Sequence, residues 1–278
     1  MNGCLGHGES FVPENRVRKG RGGKSVGQAE VDDRTAARQP GQYAGKRRPL
    51  QPGSAQQPAA RRRRHRLRAQ PIDCMAMTPA PAWSTQRLLY LHGFRSSPRS
   101  FKAQRLGAWL ATHRPGLAWC CPHLPPSPHA AMALARDLTA HWPADGSAVV
   151  GSSLGGFYAL ALAEERGWPC VLLNPAVEPA RDLAAYIGEQ PAFHDPAERL
   201  DFRAEYVQEL REIAGTTPRR LTQPQRCLAI VARGDEVLDW REMTARCAGA
   251  RIELLEGGDH ALSNFDELLP TVIGFLNP

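Results

Sequence analysis

The chain has 278 residues and a formal net charge of +7, and this length allows one or two domains. The charge is unevenly placed: residues 1–76 carry 16 Lys and Arg against 6 Asp and Glu, whereas the rest of the chain is mildly acidic. No apolar run is long enough to span a membrane, and no signal-peptide core opens the chain, so we expect a cytoplasmic protein with no membrane partner. The seven cysteines include no C-x-x-C pair, which argues against a zinc or redox motif.

Residues 1–76 are rich in Gly, Pro, Gln, Arg and Ala and poor in aromatic and β-branched residues. Such a segment cannot bury enough apolar surface to offset its ordering entropy, so we predict that it is disordered and that residues 77–278 form the folded domain. Its basic run Arg61–Arg68 could bind nucleic acid or an anionic membrane. A targeting peptide is a second interpretation, which the interspersed acidic residues disfavour. We favour a third: a misplaced start, with Met75 or Met77 as the true initiator.

From Arg87 onward, short apolar runs alternate with segments of helical periodicity. This alternation is typical of a parallel sheet covered by helices on both faces, so the expected fold class is α/β with a mostly parallel sheet. The predicted strands are Leu88–Leu91, Leu117–Cys121, Ala148–Val150, Cys170–Leu173, Cys227–Val231 and Arg251–Leu255. The predicted helices cover residues 98–113, 130–142, 154–166, 239–247 and 262–276.

Residues 176–224 interrupt this alternation. They contain two helical segments, Arg181–Ile187 and Ala197–Ala214, and no strong strand run. We therefore predict a helical cap, inserted above the carboxyl ends of the strands and covering a site there.

Ser153 lies at the centre of Gly151-Ser152-Ser153-Leu154-Gly155, a G-x-S-x-G pattern. The bare pattern is more common in ordinary turns, but here a buried strand precedes it and an Ala- and Leu-rich helix follows. Strand, sharp turn and helix are the context of a nucleophile elbow, where the close approach of strand and helix requires small residues beside the serine. The pattern in this context predicts that Ser153 is a nucleophile.

Two further polar residues follow predicted strands at their carboxyl ends, where open parallel sheets gather catalytic groups. Asp235 follows the strand that ends at Val231, and His260 follows the strand that ends at Leu255. A serine needs a base, and a histidine held in one tautomer by a carboxylate supplies it. The chain order Ser153, Asp235, His260 is that of the α/β-hydrolases.

Other candidates for the acid are Asp239 and Asp259. Asp239 fits better as the N-cap of the following helix, and Asp259 adjoins His260 too closely to reach its inner ring nitrogen. His123 and His129 lie in a proline-rich loop and are interpreted as solvated rather than as metal ligands.

A developing oxyanion needs preorganised donors. The backbone N–H of Leu154, next after the nucleophile, is one candidate, and that of Phe94, in the loop after the first strand, is the second. His92 in the same loop is interpreted as shaping this oxyanion loop rather than as a second base.

Five motifs, taken together, resemble the YqiA/YcfP group of small α/β-fold esterases over about residues 86–277. The resemblance implies a compact α/β-hydrolase fold, carboxylesterase activity on short acyl esters, no cofactor and a cytoplasmic setting. It carries Ser153, Asp235 and His260 over as the triad, and residues 1–76 have no counterpart in it. The motifs are Leu89-Tyr90-Leu91-His92-Gly93-Phe94, Gly151-Ser152-Ser153-Leu154-Gly155-Gly156, Leu173-Asn174-Pro175-Ala176, Gly234-Asp235-Glu236-Val237-Leu238-Asp239 and Gly257-Gly258-Asp259-His260.

The sequence thus predicts a serine esterase that acts on a small-molecule ester through an acyl-serine, without metal or cofactor. One alternative is an acyl thioesterase that uses the same triad. The other is a non-catalytic interaction protein, which would contact nucleic acid only through Arg61–Arg68.

The misplaced-start hypothesis makes a prediction for the native protein. Mass spectrometry of the protein purified from its own host should find an N-terminus at Met75 or Met77. Native peptides from residues 20–68 would contradict it.

Overall fold

The computed structural model describes residues 84–193, 195 and 197–277. The basic run Arg61–Arg68 and the candidate initiators Met75 and Met77 lie outside the described residues, so the expectations for residues 1–76 stand as predictions.

Six parallel strands form the central sheet, in the spatial order β2-β1-β3-β4-β7-β8. Two shorter strands, β5 and β6, pair antiparallel outside it. The strands are β1 (Arg87–Leu91), β2 (Ala118–Cys120), β3 (Ser147–Ser152), β4 (Cys170–Leu173), β5 (Gly188–Pro191), β6 (Arg199–Phe202), β7 (Cys227–Ala232) and β8 (Arg251–Leu255).

Helices connect the strands and cover both faces of the sheet, as parallel strands require crossover connections. They are α1 (Phe101–His113), α2 (Pro128–Leu138), α3 (Leu154–Arg166), α4 (Pro179–Asp182), α5 (Ala204–Thr216), α6 (Trp240–Arg246) and α7 (Phe265–Leu276), with 3₁₀ turns at Ala184–Tyr186 and Pro224–Arg226. Among the described residues, no helix combines the length and apolarity needed to cross a membrane.

The core is split between the two faces of the sheet, because successive side chains of a strand point to opposite sides. Leu89 and Val149 belong to the cluster that α2, α3, α5 and α6 cover. Leu88 and Val150 belong to the cluster that α1 and α7 cover. Strands buried on both faces favour apolar residues at successive positions, which is why β4 and β7 are continuous apolar runs and β3 is apolar from Ala148 to Val150.

The predicted α/β architecture is confirmed, and its six strands are the six of the central sheet. The helical cap prediction is wrong in one respect, because residues 176–224 also contain the hairpin of β5 and β6. The helix predicted to begin at Ala197 begins at Ala204, after a strand. A four-residue strand with alternating burial leaves little sequence signal, and Phe202 is fully buried through a contact with Phe94, whose ring centroid lies 5.1 Å away.

Candidate active site

Ser153 occupies a sharp turn between β3 and α3. Its backbone has φ 54° and ψ −122°, a combination that non-glycine residues adopt rarely. The turn is fixed by neighbours on both sides: the Ser153 N–H donates to the carbonyl of Leu173 at 3.0 Å, and the Ser153 carbonyl accepts from Gly156 at 2.8 Å and Ala176 at 3.0 Å. Strain held by such surroundings is typical of functional sites.

Two glycines of the motif make this turn possible. A Cβ at Gly155 would lie 2.0 Å from the carbonyl oxygen of Leu91, and one at Gly151 would lie 2.1 Å from the carbonyl oxygen of Gly155. No side chain fits either position, which is the close approach that the sequence motif predicts.

His260 and Asp235 lie next to Ser153, joined to it by hydrogen bonds. The Nε2 atom of His260 is 3.0 Å from the Oγ of Ser153, and its Nδ1 is 2.8 Å from the Oδ2 of Asp235. The Asp235 side chain is fully buried, and its Oδ1 accepts the backbone N–H groups of Val237 and Leu238, both at 2.8 Å. The carboxylate therefore presents one oxygen to the imidazole while the other is held by the chain.

The two alternative acids are occupied elsewhere. Asp239 is the N-cap of α6, where its side chain accepts the N–H of Arg241 at 2.9 Å. Asp259 accepts both the N–H and the hydroxyl of Ser263, at 2.9 and 2.6 Å. Of the three aspartates considered from the sequence, the geometry brings only Asp235 to the inner ring nitrogen of His260.

The loop that carries Phe94 passes beside Ser153. A Cβ at Gly93 would lie 3.2 Å from the Cβ of Ser153, so the backbone just before Phe94 is in near contact with the serine. Leu154 begins α3, and the first N–H groups of a helix have no partner within it. Both backbones proposed as oxyanion donors thus flank the serine.

His92 anchors this oxyanion loop. The ring is buried; its Nε2 accepts the N–H of Leu124 at 3.1 Å, and its Nδ1 lies 3.0 Å from the carbonyl of Gly93. The Nε2 acceptor role assigns the proton to Nδ1, which donates to that carbonyl. His92 therefore ties the loop to the segment after β2, in agreement with the interpretation that it shapes the loop.

A cleft with two lobes opens over Ser153 and His260, which line both lobes together with Phe94, Phe193 and Val237. We call the first the apolar lobe; it has about 280 Å³ and is lined further by Leu154, Ala176, Pro179, Leu183, Tyr186 and Leu238, with Arg95 and Asp182 as its two charged residues. We call the second the polar lobe; it has about 400 Å³ and is lined further by Tyr90, Gly93, Ser96, Ser100, Lys102, Ser152, Glu236 and Ala261.

A larger cavity of about 500 Å³ lies against α5 and contains neither Ser153 nor His260 in its lining. We base the site on the two-lobed cleft, since the hydrogen-bonded side chains are there. The described residues contain no group of three or more His, Cys, Asp or Glu that could hold a metal ion.

Asn174 belongs to the site, although its motif in the sequence predicts no role for it. It is fully buried with φ 41°, and its Oδ1 accepts the N–H of Ala232 at 2.9 Å. Its Nδ2 donates to the carbonyl oxygens of Asp259 at 3.0 Å and His260 at 3.3 Å. Asn174 therefore links the end of β4 to the end of β7 and to the loop after β8. The signal in the sequence is an asparagine directly after an apolar strand.

Comparison with known proteins shows the family of the chain. Residues 87–277 match the model of the uncharacterised protein family UPF0227. The chain belongs to this family. It is the YqiA/YcfP family, which the motifs resemble, and the match covers nearly all of the described residues.

Solved structures extend the comparison to the fold. One is of LipS and LipT, two metagenome-derived lipolytic enzymes, with TM-score 0.52 and 19% identity over 70% of this chain and 94% of that one. Another is a monoacylglycerol lipase from Paleococcus ferrophilus, with TM-score 0.52 and 15% identity over 70% and 96%. A third is Est1E from Butyrivibrio proteoclasticus, with TM-score 0.51 and 16% identity over 69% and 86%. At such identities the likeness shows the fold, which is that of the α/β-hydrolases.

Replacement of Asn174 should weaken both the fold and the site. Asn174→Ala leaves the buried N–H of Ala232 without its acceptor, which costs about 1–3 kcal/mol of unfolding free energy in urea titrations. Asn174→Gly removes the same hydrogen bonds but tolerates the positive φ, so it separates the two contributions. Wild-type stability in both variants would show that the hydrogen bonds contribute nothing.

Proposed function

We propose that this protein is a serine esterase that hydrolyses short-chain carboxylic esters through an acyl-serine. The observation that carries the proposal is the continuous hydrogen-bonded series from Ser153 Oγ through the His260 ring to Asp235, at 3.0 and 2.8 Å. Family membership and the α/β-hydrolase fold support it, since that fold carries its nucleophile on the same strand–turn–helix element.

In the proposed reaction, the Oγ of Ser153 attacks the ester carbonyl while Nε2 of His260 takes its proton. Asp235 stabilises the imidazolium through Nδ1–H and holds the ring in the required tautomer. The backbone N–H groups of Phe94 and Leu154 donate to the oxyanion of the tetrahedral intermediate. His260 then protonates the departing alcohol. Water then attacks the acyl-serine while Nε2 of His260 takes its proton; the bond to Oγ breaks, the carboxylic acid leaves, and the proton passes from His260 to the Oγ of Ser153.

The shape of the cleft supports an apolar acyl group of limited length. The apolar lobe is small and its lining is dominated by aliphatic and aromatic side chains such as Leu183, Tyr186 and Leu238. The polar lobe lies on the side where the segment after His260 contributes Ala261. We assign the acyl group to the apolar lobe, because aliphatic and aromatic residues predominate in its lining, and the alcohol to the polar lobe.

The first prediction concerns Ser153. The full chain should hydrolyse p-nitrophenyl acetate and butyrate faster than the octanoate, because the apolar lobe limits chain length. Ser153→Ala should retain only about 10⁻³ or less of kcat, because the nucleophile is lost. Parent and variant are assayed side by side, and a Ser153→Ala protein as fast as the parent refutes the triad. Activity on acyl thioesters alone, lost in the variant, would assign the thioesterase alternative.

The second prediction concerns Asp235. In Asp235→Asn the amide oxygen can keep the bonds to Val237 and Leu238, which turns the NH₂ group toward Nδ1 and favours the wrong histidine tautomer. The expected loss in kcat is roughly 10²–10⁴-fold at nearly unchanged stability. Asp239→Asn, an N-cap change at the exposed start of α6, is the matched control and should keep its kcat. Equal rates for both variants would remove Asp235 from the mechanism.

A further inference from the structure

The polar lobe contains a cation that the proposed mechanism does not use. Lys102, in the first turn of α1, lines this lobe beside Ser153 and His260. The chain has four lysines, and Lys102 is the only one after Lys46; every other non-histidine cation of the folded domain is an arginine. The one lysine of the folded domain therefore lies at the candidate active site.

Lys102 has a defined contact with the segment that carries the histidine. Its Nζ donates to the carbonyl oxygen of Ala261 at 2.5 Å. Ala261 directly follows His260, and 159 positions separate it from Lys102 in the chain. The bond therefore joins α1 to the loop after β8 at the residue next to the imidazole.

Two other groups hold the same short segment from different directions. Asn174 donates to the carbonyl oxygens of Asp259 and His260, from the end of β4. The Oε2 of Glu236 accepts the N–H of His260 at 3.0 Å, from the loop after β7. Lys102 supplies the third attachment, at the carbonyl of Ala261, which neither Asn174 nor Glu236 contacts. An imidazole that must lie 3.0 Å from Ser153 Oγ depends on a backbone fixed in this way.

We propose that Lys102 is a positioning residue for His260, which it holds in register with Ser153 through the carbonyl of Ala261. The inference rests on the proposed esterase function of the same site. It extends that function by a group that acts on His260 through the backbone of Ala261 and not on the reacting atoms.

The charges around Lys102 favour this role over the binding of an anionic substrate. The carboxylates of Asp235 and Asp259 face the ammonium, and Glu236 lines the same lobe. With three acidic groups around one cation, the lobe is not suited to an anionic alcohol. Arg105, a second cation on α1, is instead paired with Asp266 of α7 at the surface.

The same surroundings give the proposal a pH dependence. Burial lowers the pKa of Lys102 to about 8, although the nearby carboxylates of Asp259 and Asp235 act to raise it. Below that pH the ammonium makes a charge-assisted hydrogen bond to Ala261, and above it the neutral amine makes a weaker one. Activity should therefore decline as the pH rises through about 8. An arginine at this position stays protonated and should shift the decline upward.

The test compares Lys102→Met, Lys102→Arg and the control Arg105→Met, which removes a surface cation from the same helix. In the full chain, kcat and KM for p-nitrophenyl butyrate are measured from pH 6 to 10. Lys102→Met should lose on the order of tenfold in kcat with KM within about twofold of wild type. Lys102→Arg should keep most of kcat and lose the alkaline decline, while Arg105→Met should match the wild type throughout.

Two further measurements separate positioning from a structural role. Because burial disfavours the charged amine, Lys102→Met should melt at or above the wild-type temperature at pH 7, whereas a structural role predicts a lower one. The Nδ1 proton of His260, shared with Asp235, should change its NMR resonance in Lys102→Met and keep it in Arg105→Met.

Several outcomes overturn the proposal. These are a wild-type kcat in Lys102→Met, an effect confined to KM, or an alkaline decline in Lys102→Arg at the wild-type pH. If Lys102→Met does not fold, the pH profile of Lys102→Arg tests the proposal in its place. A wild-type protein that hydrolyses no ester would refute the proposed function instead. The change in the NMR resonance of His260 in Lys102→Met would then test the positioning role of Lys102 independently.

Discussion

The close approach of strand β3 and helix α3 at Ser153 is the constraint on which the rest of the site depends. The chain reverses direction there within one residue, at a φ of 54°, and only glycines at positions 151 and 155 leave room for it. Such a turn is unfavourable in isolation. It is retained because the flanking strand and helix are buried on all sides, so the cost is offset by the packing of the whole sheet.

His260 illustrates the opposite arrangement, a proposed catalytic group on a loop that has no regular structure of its own. Its position is determined by hydrogen bonds with Asn174 at the end of β4 and with Asp235 and Glu236 in the loop after β7. In a parallel sheet these ends meet at one edge, so short loops suffice to bring distant parts of the chain together. The topology of the sheet brings these loops together, and the hydrogen bonds of side chains then fix the position of the imidazole.

The insertion between β4 and β7 completes the cleft and also contacts the oxyanion loop. The ring of Phe94 packs edge-on against Phe202 of β6 and against Tyr186, and Arg95 donates to the carbonyl of Pro191 at 2.6 Å. The guanidinium of Arg95 also lies over the ring of Phe193, 4.3 Å from its centroid. The loop that carries a proposed oxyanion donor is therefore supported by the insertion as well as by the sheet. Changes in the insertion can alter both the shape of the cleft and the placement of the Phe94 amide.

The sequence by itself determined the elements whose local pattern is strong: the continuous apolar strands, the glycine-flanked Ser153 and the order of Ser153, Asp235 and His260 along the chain. These signals are local because burial on both faces and a crowded turn each restrict residue type at fixed positions. Only the tertiary structure decided which aspartate meets His260, the hairpin of β5 and β6, and the contacts of Asn174 and Lys102 with the histidine loop. The contacts of the histidine loop join residues from 25 to 159 positions apart, and no pattern within a short window encodes such distances. The hairpin is local, but its four-residue strands leave little signal in the sequence.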